Sequence, residues 1–223
     1  MKMVKSIFSL LVLGVVISFT SCSNNDPAPV ALAAITFKDL NADYAPQVLV
    51  PGQRPTRPTQ KNKYTFFSLK TGQLVVNSDS ASTKWDIGFQ GTNIVFNGGS
   101  SGPGVGGAIV QSGIFDEISE APTDGYIQDN KTTRQFAVSS SPFIQGVTMT
   151  TNNWWLNSGT PESTIVSPIA GRVIIVKTAD GRYAKMEILS FYKGAPAKVD
   201  NMNDLDRHYT FRYIYQPGNT NTF

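Results

Sequence analysis

Short stretches of alternating apolar and polar residues, separated by turn residues, dominate the chain after its first thirty positions. Such alternation places successive side chains on opposite faces of a strand. The pattern predicts strands over four early segments, and the first two flank a turn at Lys70-Thr71-Gly72. These segments are Tyr64 to Leu69, Gln73 to Val76, Trp85 to Gln90 and Asn93 to Asn97.

The clearest strands lie in the last quarter of the sequence. Arg172 to Thr178 and Tyr183 to Ser190 meet at an Asp180-Gly181 pair, which is a strong signal for a two-strand hairpin. In Tyr209 to Tyr215 the aromatic residues all fall on one face. No window sustains a capped helical period, although Ser112 to Ala121 is compatible with one short helix. We therefore expect one all-β domain over 35–223, a sandwich or distorted barrel with at most one or two short helices.

The N-terminus has the pattern of a bacterial lipoprotein signal. Residues 1–21 combine basic Lys2 and Lys5 with an apolar run that is too short for a comfortable transmembrane helix. Cys22 follows the small residues Thr20 and Ser21, where a lipoprotein signal presents its thiol for lipid attachment. An incidental free thiol behind an ordinary secretory signal is the alternative. Residues 22–34 are polar and then rich in Pro and Ala, so we interpret them as a flexible tether.

Composition narrows the possible chemistry. The 223 residues include one Cys and one His, which excludes an intrachain disulfide and a His-pair zinc site. A formal net charge of +3 gives no indication of nucleic-acid binding. The single imidazole, His208, has no serine in a nucleophile elbow to partner it, so we interpret it as a surface residue. We expect a protein that is not an enzyme, and a hydrolase built on His208 is the weakest hypothesis.

Three other features bear on binding. The glycine-rich stretch Gly98 to Gly107 lacks the Gly-Lys-Ser/Thr ending of a phosphate loop, so we expect a tight loop with close backbone approach. Consecutive residues on a strand face opposite sides, so one of Trp154 and Trp155 is expected to contact something besides the core. Outside the signal and the strands, Met149 and Met202 are the candidate thioether ligands.

Seven motifs, in order, make the chain resemble the HmuY family of haem-binding surface lipoproteins of Gram-negative bacteria. The resemblance implies an almost wholly β fold with a haem cleft between two lobes. It also implies haem (haem b) as the ligand, capture of haem from host carriers, and transfer to a TonB-dependent outer-membrane receptor. The motifs are Cys22, Lys84 to Phe89, Asn97 with the loop to Ala108, Ala121 to Tyr126, Arg172 to Val176, Ala179 to Lys185 and Tyr209 to Tyr213.

The segment in which the family holds its iron is where this sequence differs from the resemblance. Family members supply two axial His or Met ligands from the irregular segment that corresponds to Ile127 to Gly171. Here that segment contains no His and one Met, Met149, which is therefore the expected axial ligand. Thr160 occupies the position expected for the second ligand, with Thr164 close by, and Trp154 is a further candidate haem contact. A threonine hydroxyl is a poor iron ligand beside imidazole or thioether.

Two functional hypotheses follow from these residues. The first is a hemophore-like lipoprotein that is anchored to the outer membrane and binds haem or a related tetrapyrrole, with axial ligation left open. The alternative is a lipoprotein of the same fold that binds a different ligand or a protein partner without haem.

Overall fold

The structure is a computed structural model that describes residues 32–42, 50–53, 63–144, 152–161 and 163–223. Met149, Cys22 and most of the predicted signal and tether lie outside the described residues. Within them the chain forms eleven strands. These are β1 (Ile35–Asn41), β2 (Thr65–Ser68), β3 (Gln73–Val75), β4 (Ile87–Gln90), β5 (Asn93–Phe96), β6 (Gly107–Ser112), β7 (Trp155–Asn157), β8 (Val166–Pro168), β9 (Arg172–Lys177), β10 (Tyr183–Tyr192) and β11 (Asp206–Gln216).

The strands form two larger antiparallel sheets and a small hairpin. One sheet has the order β1-β11-β10-β9-β6, the other has the order β3-β2-β4-β5, and β7 pairs with β8. The predicted hairpin turns are present, with Gly72 and Gly181 at positive φ of 67° and 84°. The prediction of an all-β fold is confirmed. Strands β1 and β6 were not predicted from the alternation.

Aromatic rings fill the space between the two larger sheets. Phe211 of β11 stacks on Phe89 of β4 at a centroid distance of 5.6 Å and meets Phe67 of β2 edge-on at 5.3 Å. Tyr209 lies on the same face, 4.8 Å from Phe89, as the alternation along β11 predicts. All four rings are fully buried, so the two sheets form a sandwich whose core is largely aromatic.

The opposite face of the five-stranded sheet has a smaller core, centred on Lys185. Lys185 is 3% exposed, and its ammonium donates to the carbonyl oxygens of Phe115 and Ile118 at 2.7 and 2.6 Å. Burial lowers the pKa of this lysine. These two bonds fix a 3₁₀ turn at Phe115–Glu117 in the region where a short helix was expected. The segment forms one turn rather than a longer helix, because the Phe115 ring is buried and the carbonyls of Phe115 and Ile118 accept hydrogen bonds from Lys185.

The glycine-rich stretch wraps around Asn97. The Asn97 amide donates to the carbonyls of Ser82 and Trp85 at 2.8 and 2.7 Å, and its oxygen accepts the Gly104 N–H at 2.9 Å. A Cβ on Gly102 would lie 2.2 Å from Asn97 Oδ1, and one on Gly106 would lie 2.6 Å from the Asn97 carbonyl oxygen. The predicted close approach is confirmed, since only glycine permits this packing.

Asp86 joins the two sheets through backbone amides. It is 5% exposed, and its two carboxylate oxygens accept the N–H groups of Leu69 and Ala179 at 2.8 and 3.0 Å. Leu69 follows β2 in one sheet, and Ala179 follows β9 in the other. A buried carboxylate shared between distant amides holds the two loops together.

We expect Asp86→Ala to lower the free energy of unfolding by about 2 kcal/mol or more, because it leaves two buried N–H donors without an acceptor. Chemical denaturation followed by circular dichroism measures the change. Asp124→Ala removes an exposed carboxylate and is the matched control, with an expected change of less than about 0.5 kcal/mol. Equal stability of the two variants would contradict this role for Asp86.

Candidate functional site

The segment expected to carry ligands runs beside the β7–β8 hairpin. The short stretch 139–143 lies parallel to the chain entering β7, with bridges Ser139 to Asn153 and Phe143 to Leu156. The Phe143 N–H donates to the carbonyl of Trp155 at 2.7 Å. On the other side, the Val166 N–H of β8 donates to the Tyr192 hydroxyl at 3.1 Å. The hairpin is therefore attached to β10 of the five-stranded sheet.

The β7–β8 loop is closed by its own hydrogen bonds. Asn157 Oδ1 accepts the N–H groups of Gly159 and Ile165 at 2.9 and 3.0 Å. The Ser163 N–H donates to both the carbonyl and the hydroxyl of Thr160, at 3.2 and 3.1 Å. The described part of the loop is thus closed by the side chain of Asn157 and by both oxygens of Thr160.

Both candidate threonines lie in this loop and are exposed. The Thr160 hydroxyl already accepts the Ser163 N–H, and the Thr164 carbonyl accepts a hydrogen bond from Asn201 at 3.3 Å. Neither hydroxyl matches the donor set that proteins use for haem iron, which is imidazole, thiolate, thioether or phenolate. Thr160 and Thr164 can contact a ligand at the loop surface but do not fit the role of axial ligands.

Trp154 and Trp155 are both buried, at 1% and 6% exposure. Their indole N–H groups donate to the carbonyls of Thr92 and Ser140, each at 3.0 Å. The expectation that one of them contacts something other than the core is therefore wrong. Trp154 directly precedes β7. The stretch 139–143 packs against the side of the hairpin that the alternation of strand residues predicted to be exposed. Contact between Trp154 and haem would require this packing to open, and it stays a prediction.

Met202 lies close to the β7–β8 loop through its neighbour Asn201. The Asn201 amide donates to the Ser163 hydroxyl at 2.7 Å as well as to the Thr164 carbonyl. Asp200 accepts the Met202 N–H at 2.9 Å, which orders the turn. The side chain of Met202 is 45% exposed. Met202 therefore lies in a turn that is hydrogen-bonded to the β7–β8 loop, and this turn belongs to the connection between β10 and β11.

Asp129 anchors the start of the candidate segment. It is 1% exposed, and its carboxylate oxygens accept the N–H groups of Phe96 and Ala137 at 2.9 and 3.2 Å. Burial is the main cause that raises the pKa of Asp129 from its ordinary value of 3.8. Nothing in the sequence pattern singled out this residue, because an isolated Asp in a polar stretch is usually exposed.

The other residues with side chains suited to catalysis or metal binding lie outside the candidate site. His208 is 8% exposed and lies within β11, so its interpretation as a surface residue is wrong. Its Nδ1 is 2.8 Å from the Asp206 carbonyl oxygen, a hydrogen bond in the tautomer that carries the proton there. Asp116, in the 3₁₀ turn at Phe115–Glu117, pairs with Arg212 at 3.2 Å. The described residues contain no group of three His, Cys, Asp or Glu side chains placed to bind a metal ion.

Comparison with known families shows to which family the chain belongs. The sequence profile described as HmuY protein matches residues 60–213, more than half of the chain. The chain belongs to the HmuY family. The matched range contains the β7–β8 hairpin, the turn with Met202 and both larger sheets, except for β1 and the last three residues of β11. The family resemblance predicted from the sequence motifs is confirmed, whereas a search of curated proteins gives no match.

Three solved structures are among those similar to this HmuY family member. A candidate lipoprotein from Bacteroides fragilis is 16% identical, with a TM-score of 0.41 over 69% of this chain and 86% of that one. A candidate HmuY-like haem-binding protein from Bacteroides vulgatus is 14% identical, with a TM-score of 0.42 over 68% and 84%. The apo HmuY analogue of Tannerella forsythia is 17% identical, with a TM-score of 0.40 over 84% and 97%.

The pKa of Asp129 gives a pH test of its burial. In the folded protein Asp129 keeps its proton to higher pH than in the unfolded chain, so its contribution to stability is full below about pH 4. That contribution is lost as the pH rises through the folded pKa. We expect the unfolding free energy of the wild type, relative to that of Asp129→Asn, to decline between about pH 4 and neutrality. Parallel pH profiles of the two proteins in urea denaturation would contradict the raised pKa.

Proposed function

We propose that this HmuY family member binds haem (haem b) or a related tetrapyrrole at the β7–β8 end of the molecule. The observation that carries the proposal is the family match, which spans the candidate ligand segment. Met149 is the proposed axial ligand, and its thioether belongs to the donor set that haem iron accepts. Thr160 and Thr164 are proposed to contact the ligand from the loop surface, and Trp154 from beneath it.

Met202 is proposed as a second candidate thioether ligand. Its turn is hydrogen-bonded to Ser163 and Thr164, and nearly half of its side chain is exposed. Ile144 is also exposed, at 50%, at the end of the stretch beside β7. Bound haem supplies the iron chemistry and a large flat apolar surface, whose burial contributes about 25 cal/mol per Å² before the entropy of binding. The protein's part is to bind and shield the ring, so the proposed role is binding rather than catalysis.

We expect haemin to shift the Soret band of the purified protein saturably at micromolar concentration. Met149→Ala should weaken binding about 10-fold or more, since loss of a ligand costs at least as much as loss of a residue that supports one. Met202→Ala should weaken binding only if that thioether also reaches the iron. Met186→Leu is the control, because Met186 is fully buried in β10 and the change conserves its volume.

Absence of a saturable Soret shift in the folded wild type would overturn the haem proposal. Unchanged affinity in Met149→Ala would overturn the assignment of Met149 while leaving haem binding in place. Met149→His offers a gain of function, because imidazole is a strong ligand for haem iron. We expect tighter binding and an altered Soret band in that variant.

The lipid anchor at Cys22 is proposed from the sequence motif alone. No helix within the described part of the chain is long and apolar enough to span a bilayer. On the evidence of the motif, attachment to the outer membrane, at the cell surface or on its periplasmic leaflet, is proposed to come from acyl chains on Cys22. In that position the protein would acquire iron as a hemophore, passing haem to a TonB-dependent receptor.

We expect mass spectrometry of the native protein to find Cys22 at the mature N-terminus carrying diacylglycerol, and Cys22→Ser to abolish membrane association. Ser23→Ala is the matched control and should retain both. An unmodified thiol at Cys22 in the native protein would contradict the anchor.

A second candidate function is binding of another ligand or a protein partner without haem. The absence of His from the segment 127–171, together with the exposed hydroxyls of Thr160 and Thr164, favours this candidate. Affinity capture from outer-membrane extract, with and without added haemin, separates the two functions. A partner captured equally under both conditions fits only the second.

A further inference from the structure

A groove of about 740 Å³ lies on the outer face of the four-stranded sheet, away from the β7–β8 hairpin. Cavities of this volume are typical of small-molecule sites. Its floor consists of side chains from β5 and from the chain entering and forming β2. Its walls are the turn after β3 and the glycine-rich loop. The residues that define this sheet-face groove are Tyr64, Phe66, Val95, Ala81, Gly102 and Lys131.

The floor is flat because Gly88 lies between its side chains. A Cβ on Gly88 would be 3.0 Å from ring carbons of Phe66 and from a methyl group of Val95. Phe66 packs on buried Trp85 at a centroid distance of 4.4 Å, and Tyr64 stacks beside Phe66 at 6.1 Å with an interplanar angle of 28°. Tyr64 is half-buried, so part of its ring remains open. The result is an aromatic platform supported from below.

The walls are fixed by hydrogen bonds to groups outside the groove. Trp85 Nε1 donates to the Ser80 carbonyl at 2.9 Å, which holds the turn after β3. On the other side, Gly102 packs within contact of Asn97 Oδ1 and the Trp85 ring. Ser100 links this loop to Lys131, whose N–H donates to the Ser100 hydroxyl at 2.8 Å. A ligand entering the groove therefore meets a preformed shape.

Charge distinguishes this groove from a neighbouring cavity of about 600 Å³. Among the described residues that line the groove, Lys131 alone carries a formal charge. The neighbouring cavity is lined by two lysines and three aspartates, and its lysines pair with Asp180 at 3.9 Å and Asp79 at 3.0 Å. The nearby buried Asp129 is not among the residues that line the groove, although its carboxyl group interacts electrostatically with both Tyr64 and Lys131. The groove thus offers one cation beside an aromatic platform.

We propose that the sheet-face groove binds a planar aromatic carboxylate, with its ring stacked on Tyr64 and its carboxylate facing Lys131. A flat aromatic ligand can stack with an offset on the Tyr64 ring, which is held in place by Phe66. The glycine-rich wall opposite has few side chains, so a flat ring fits between the two. The lone cation selects an anion over a neutral or cationic ring of the same shape. The site is separate from the proposed haem site and does not depend on it.

Indole-3-acetate is the probe, with neutral indole and cationic tryptamine as comparisons that share its ring and differ in charge. In a ¹⁵N–¹H chemical-shift titration we expect indole-3-acetate to shift the indole signal of Trp85 saturably, because that N–H bonds to a groove wall. The indole signals of Trp154 and Trp155 should not move. We expect weaker binding of indole and none of tryptamine.

Variants separate stacking from charge. Tyr64→Ala should weaken indole-3-acetate about 3- to 10-fold through loss of ring stacking. Lys131→Gln should weaken it up to about 5-fold and remove its salt dependence. Lys84→Gln removes an equal charge from the neighbouring cavity and is the matched control, with no expected effect. Lys131 and Lys84 are both exposed, so neither change threatens folding.

Three outcomes would overturn the proposal. They are no saturable shift at Trp85, equal effects of Lys131→Gln and Lys84→Gln, and tryptamine binding as tightly as indole-3-acetate. Displacement of the probe by one equivalent of haemin would overturn the separation of the two sites. Failure of the haemin titration itself would leave the groove untouched, because its readout uses neither Met149 nor Met202.

Discussion

The packing of aromatic rings between the two larger sheets is the interaction on which the rest of the structure depends. Phe211 touches rings from both sheets, and its neighbours Phe67 and Phe89 are fully buried. Each such ring contributes about 1.5 to 3 kcal/mol through burial. A chain with one Cys has no intrachain disulfide to supplement this core. The sandwich therefore fixes where every loop begins and ends.

Buried polar side chains then attach the irregular segments to this frame. Asp86, Asn97 and Asp129 each bond backbone groups that are far apart in the sequence. Since a buried backbone group without a partner is costly, such anchors allow long connections to stay folded without secondary structure. Two of the three, Asp86 and Asn97, belong to motifs by which the family is recognised. Those motifs preserve the frame, and they carry no information about the ligand.

The proposed binding sites therefore depend on side chains at the surface, and the shared fold places few constraints on those side chains. The β7–β8 loop is closed by hydrogen bonds to the side chains of Asn157 and Thr160 and to the Thr160 carbonyl, within the loop itself, so its other side chains can vary without disturbing the sandwich. This explains how a member of the HmuY family can lack histidine in the ligand segment and still keep the fold. The same separation permits a groove on the opposite sheet with a chemistry of its own.

The sequence by itself determined the strands with strong alternation, the two hairpin turns, the aromatic face of β11 and the family. These depend on local periodicity and turn residues, which act within a few positions. Strands β1 and β6 were missed because Asp39 interrupts one with a bulge and glycines begin the other. Their pairing comes from neighbours distant in the sequence.

Tertiary structure alone decided which polar residues are buried and which neighbours meet. Sequence interpretation placed His208 at the surface and one tryptophan outside the core, whereas both positions are covered by segments that only folding brings there. The contact between the Met202 turn and the β7–β8 loop joins residues 38 positions apart through one asparagine side chain. The groove beside Tyr64 is assembled from four separate segments. Local patterns cannot encode such contacts, because their energy depends on packing between segments rather than on the residues of any one segment.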